Sequence, residues 1–94
     1  MAKKPFYELR LYIAGLTPQS QRAIKNVKAV CEEHLGERYA LKIIDIYQQP
    51  VLAKGEQIVA VPTLIKHLPQ PLRKLIGNMA DAKTLLVGLD LREK

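Results

Sequence analysis

Ninety-four residues make one domain, 1–94, whose size lets it bury roughly 60 to 65% of its unfolded surface; 48% hydrophobic and 26% charged content excludes disorder as the starting expectation. No apolar run approaches the ~20 residues of a membrane span, and residues 1–5 lack the apolar core of a secretion signal, so a cytoplasmic domain is expected. The net charge of +6 is scattered in blocks no longer than two, without an aromatic base-stacking motif, which argues against nucleic acid and leaves an acidic protein partner or a solvated surface.

Tyr7, Leu9, Leu11 and Ile13 alternate with Glu8, Arg10, Tyr12 and Ala14, a period-2 pattern that predicts a strand with one strongly apolar face. Thr17 then caps a helix that takes Pro18 in its first turn, where a missing N–H costs nothing. Ala23, Ile24, Val27, Val30, Cys31 and His34 recur at three- and four-residue intervals along it, and Gly36 is placed to end it. Residues 39–46 are β-rich. Strand, helix and strand then form a right-handed crossover with parallel strands, the opening of a thioredoxin-like unit.

That scaffold usually carries a low-pKa thiolate at the start of its first helix. Here Gly15-Leu-Thr-Pro-Gln-Ser20 offers only a cap, and the single cysteine, Cys31, falls deep in the helix. Cys31 is read as a packing residue, with a redox-sensing thiol as the alternative. His34 and His67 have no Cys, His or Asp companions at metal-ligand spacing, and no glycine-rich phosphate loop is present. No enzyme activity, cofactor or metal is expected.

The second half supports two readings. Residues 48–57 read as a short helix that Gly55 weakens by about 1 kcal/mol. Residues 58–65 are β-rich, but Pro62 removes a ladder donor and implies a break or an edge. Pro69-Gln-Pro71 punctuates the chain, and residues 72–76, with Ile43 expected to be buried upstream, fit neither period decisively. Asp81 is a candidate cap for a helix through residues 84–91, which Thr84, Val87 and Gly88 weaken. Balanced preferences leave the choice to tertiary contacts, with two packings a few kcal/mol apart.

Leu9-Arg-Leu-Tyr-Ile-Ala-Gly15, Thr17-Pro18, Tyr39-Ala-Leu-Lys-Ile-Ile-Asp45, Ala60-Val-Pro-Thr-Leu64, Leu68-Pro69 with Pro71, Ile76-Gly77 and Gly88-Leu-Asp-Leu91 together resemble the KaiB family of the cyanobacterial circadian oscillator and its bacterial relatives. The resemblance implies a metamorphic α/β protein. Its resting form would be βαββααβ, assembling as a tetramer or dimer and expected for the free chain; its rare partner-binding form would be a thioredoxin-like βαβαββα monomer.

It further implies a regulatory binding protein that docks on the N-terminal ATPase ring of a KaiC-type ATPase and kinase. KaiA and a SasA-type histidine kinase would be further partners where they exist. Arg22, Ala40 and Lys42 are the implied partner contacts; Gln57 stands where the family commonly has a basic contact residue. Tyr7, Pro62, Pro69, Pro71, Gly88 and Asp90 are the implied fold-switch positions. The sequence reaches Lys94 without a kinase, which argues against a SasA-type protein, and without the acidic C-terminal extension common in cyanobacterial members, so a relative outside the standard three-protein clock is expected. The alternatives are a KaiB-like stress-response adaptor and a thioredoxin-like redox protein using Cys31.

Overall fold

The alternating face at the N-terminus becomes the middle of the sheet. In a computed structural model, which describes residues 6–55, 62–77, 79 and 82–89, β1 (Tyr7–Ile13) runs parallel to β2 (Tyr39–Asp45) on one side and antiparallel to β3 (Thr63–Leu68) on the other. β4 (Arg73–Ile76) completes the order β2-β1-β3-β4 by pairing antiparallel with β3. The register slips once, between Glu8 and Leu9, a bulge of the kind that re-aims neighbouring side chains.

The crossover helix α1 (Pro18–Leu35) forms as its signals predict. The Thr17 hydroxyl accepts from the Ser20 N–H at 3.1 Å, Pro18 sits at the first position, and Gly36 follows with φ of +62°. Its stripe of Ala23, Val27, Val30, Cys31 and Leu35 packs on Tyr7, Leu9, Leu11 and Ile13. The same layer is completed by α3 (Ala82–Leu89), through Leu85. The Asn26 side chain ties the two helical regions by donating to the Met79 carbonyl at 3.0 Å. On the opposite face the short α2 (Pro50–Gly55) covers a smaller cluster of Tyr12, Ile44 and Ile65 with Leu52.

The element order β1-α1-β2-α2-β3-β4-α3 is the thioredoxin-like one of the two expected arrangements, not the resting βαββααβ order expected for the free chain. Two local contacts account for the difference. Leu64 pairs with Leu75 across β3 and β4, which makes a strand of a segment too short to show a period. Leu85 is wholly buried, and that burial outweighs the weak helix preference of Thr84, Val87 and Gly88. Gly77, with φ of +100°, ends β4 and donates its N–H to the Pro62 carbonyl at 3.0 Å. Asp81, the candidate cap, lies outside the described residues.

Ile43 departs from expectation. Read as buried, it is 36% exposed, because β2 is an edge strand, and of its residues Tyr39 and Leu41 pack against the cluster under α1.

Candidate partner-binding face

Parallel pairing sets the geometry of the implied contacts. Ala40 lies beside Glu8 and Lys42 beside Arg10, and paired residues share a sheet face. Leu9 and Leu41 point to α1, so Glu8, Arg10, Ala40 and Lys42 point the other way, beyond the end covered by α2. Ala40 and Lys42 are exposed. The small Ala40 side chain leaves a shallow depression of about 360 Å³, lined by these four residues with Leu9 and Leu41. Glu8 and Arg10 approach to 3.9 Å within it, a loose and partly solvated ion pair that adds little stability.

Register extends the face. Arg10 lies opposite Ile65, and Ile65 opposite Lys74, so Lys42, Arg10 and Lys74 fall on one row across the sheet with an aliphatic residue between the last two. Glu8, Arg10 and Lys74 are surface residues that the sequence alone did not single out. Only the strand order shows them to be neighbours, and no local pattern encodes that order.

Arg22 is exposed on α1, the layer on the other side of the sheet, so the structure does not gather it with Ala40 and Lys42. Gln57 lies outside the described residues, as does Asp90. Of the implied fold-switch positions, Tyr7 is fully buried, its N–H donates to the Arg38 carbonyl at 2.8 Å, and its ring lies 5.8 Å from the buried Lys66 ammonium, within cation–π range. Pro62 is buried and opens β3. Pro69 and Pro71 lie between β3 and β4, each after a cis peptide bond. Gly88 lies in α3, where an added Cβ would sit 3.0 Å from Leu75 Cδ1.

The turn before α1 is held by the last side chain of β2. One carboxylate oxygen, Asp45 Oδ1, accepts from the Gly15 N–H at 3.2 Å and from the Tyr47 N–H at 2.9 Å. Cys31 is remote from it, buried to 1% exposure, and burial with the neighbouring Glu32 charge pushes its thiol up to about 12. A thiol so placed is protonated at neutral pH and unreactive.

The folded pKa of Cys31 is raised, so its contribution to stability is complete below about pH 9 and is lost as pH rises toward 12. Tyr39 adds to the same trend above pH 10: its hydroxyl donates to Glu32 Oε1 at 2.7 Å, which holds its proton up to about pH 12. Unfolding midpoints measured from pH 8 to 11 are expected to fall, and Cys31→Ala to flatten the earlier part of the fall. At pH 8 a thiol reagent should label Cys31 no faster than the chain unfolds; rapid labelling of the native protein would contradict the burial.

Among the described residues no group of three or more His, Cys, Asp or Glu side chains is placed to hold a metal, and no helix is long and apolar enough to cross a membrane. Comparison with known proteins shows the family. The KaiB domain profile matches residues 10–91. The chain is 50% identical over 88 residues to the circadian clock oscillator protein KaiB of Microcystis aeruginosa, covering 94% of this chain and 85% of that one. It is 49% identical over 88 residues to the protein of the same name from Nostoc punctiforme, with the same coverage.

Among solved structures, the N-terminal domain of Synechococcus elongatus SasA superposes with a TM-score of 0.74 at 26% identity, covering 100% of this chain and 92% of that one. Mitochondrial thioredoxin 3 of Saccharomyces cerevisiae superposes at 0.72 with 18% identity, over 94% and 80% of the two chains, a likeness of fold alone. The resemblance read from the scattered motifs is thereby confirmed, and the chain, folded in a thioredoxin-like manner, belongs to the KaiB family.

Proposed function

We propose that this protein is a non-enzymatic regulatory subunit of a KaiC-type ATPase and kinase, which it binds on the N-terminal ATPase ring in the thioredoxin-like arrangement, so modulating phosphorylation and clock output. The observation that carries this reading is the pairing of Ala40 and Lys42 on an open edge strand, beside Arg10 and over a shallow depression, in a chain of the KaiB family. The likeness to the SasA domain supports competition between this protein and a SasA-type kinase for one ring. The basic row suits an acidic docking surface, because complementary charge steers encounter and fixes register.

In this reading the partner selects one member of a conformational equilibrium. A thioredoxin-like state populated at about 1% would weaken apparent affinity about 100-fold relative to its intrinsic value, and binding would be slow. The test mixes the protein with a candidate KaiC and ATP and follows the complex by size exclusion over hours. Slow co-elution with the hexamer is the expected result. Absence of any complex with the KaiC encoded in the same genome would overturn the reading. Replacing Cys31 by Ser should leave the complex intact, whereas its loss would favour the redox alternative.

A further inference from the structure

Two successive rows of the sheet face carry opposite charge. Glu8 lies beside Ala40, and Arg10 beside Lys42, so the first row holds one carboxylate next to a small side chain and the second holds two cations. The rows are about 7 Å apart along the strands. Glu8 and Arg10 approach to 3.9 Å, with 43% and 31% of their side chains exposed. That separation is too long for a hydrogen bond, so the pair does not lock the Glu8 carboxylate in place. All four residues belong to β1 and β2. Both expected element orders open with strand, helix and strand, so the charge pattern does not depend on how the second half of the chain is folded.

A segment lying on this face must satisfy its own backbone. β1 is paired on both flanks, with β2 and with β3, and the face therefore offers side chains and no backbone partners. A helix meets that condition, because its amides and carbonyls are bonded internally. Side chains four residues apart on a helix stand about 6 Å apart, close to the row spacing.

We propose that Glu8 gives the face a polarity: it docks an exposed helix of the partner that sets a carboxylate over Arg10 and Lys42 and a cation over Glu8, and it turns away helices that are acidic at both positions. A second carboxylate would meet Glu8 in a like-charge contact that opposes docking, even though the chain carries a net charge of +6. The depression of about 360 Å³ beside Ala40 leaves room for the aliphatic stem of the cation. The inference rests on the binding face proposed above and names what that face selects.

Two helical peptides of equal length test it, differing only in whether a glutamate is followed four residues on by lysine or by a second glutamate. Each is titrated into the protein and followed by NMR in about 0.15 M salt, where charges more than about 8 Å apart are largely screened. Shifts at residues 8–10 and 40–42 are expected with both, and the peptide with lysine should bind about threefold more tightly. In Glu8→Gln the order should reverse in favour of the doubly acidic peptide, a change of about tenfold in the affinity ratio. Tighter binding of the doubly acidic peptide to the unaltered protein, as net charge alone would dictate, would overturn the proposal. So would an unchanged ratio in Glu8→Gln, or no shift at this face with either peptide.

Glu8→Arg combined with Arg10→Glu reverses the two rows while keeping the net charge and the intramolecular pair. Its complex with a candidate KaiC ring is expected to weaken about tenfold, and equal binding would overturn the polarity. Failure of the unaltered protein to bind the ring counts against the function proposed above, and the peptide titration still decides the role of Glu8.

Discussion

Replacing Leu85 by Ala is expected to cost about 3 kcal/mol, within the range of roughly 2 to 5 kcal/mol for emptying a fully buried leucine site. Leu85 is wholly buried and joins α3 to the cluster formed by α1 and β1. Among its other described side chains, Leu86 is only partly buried, Lys83 and Thr84 are exposed, and Val87 is 77% exposed. An eight-residue helix depends on tertiary packing and loosens when its buried anchor shortens.

Urea unfolding of Leu85→Ala should show a lower midpoint with an unchanged slope. Where the thioredoxin-like arrangement is the minor state, the same loss of about 3 kcal/mol lowers its population, and the apparent affinity of a partner that selects it, on the order of 100-fold; where it is the major state, affinity is kept. A loss below about 1 kcal/mol would show that α3 does not close the core.

Lys42→Glu carries the second large effect, on binding and not on folding. Lys42 is exposed on an edge strand and lies beside Arg10 in the register, so the introduced carboxylate meets a cation across the ladder and stability should move by less than about 0.5 kcal/mol. Reversing a charge at a complementary interface costs several kcal/mol when like charges face each other. Affinity for the KaiC ring should fall about 10- to 100-fold, chiefly through slower association, and the salt dependence of the remaining binding should flatten. Lys83→Glu, on α3 in the opposite layer, makes the same change in net charge and should leave affinity within about twofold. Equal losses in the two variants would locate the effect in overall charge and remove the sheet face from the proposed site.

The first half of the fold was legible because each local rule pointed the same way. Thr17, Pro18 and Gly36 mark the ends of α1, and the alternation of Tyr7 to Ile13 marks a strand that turns out to be central. The second half was not, for a physical reason. Residues 73–76 become a strand through a pairing with residues distant from any local signal, and residues 82–89 become a helix by burying Leu85. Ile43 was misplaced because edge position is a property of strand order. The candidate face was half legible: Ala40 and Lys42 were identified through the family resemblance, whereas Glu8, Arg10 and Lys74 join them only through register.

The two sides of β1 are filled from unequal distances along the chain. Its parallel neighbour arrives with the first 45 residues, while its antiparallel neighbour is Thr63–Leu68. A nascent chain emerging from the ribosome therefore completes strand, helix and strand while the other flank of β1 still shows bare amides and carbonyls. Exposed strand flanks are templates for any extended peptide, so the newborn protein has an interval in which its own later residues compete for that flank with chaperones and with sister chains.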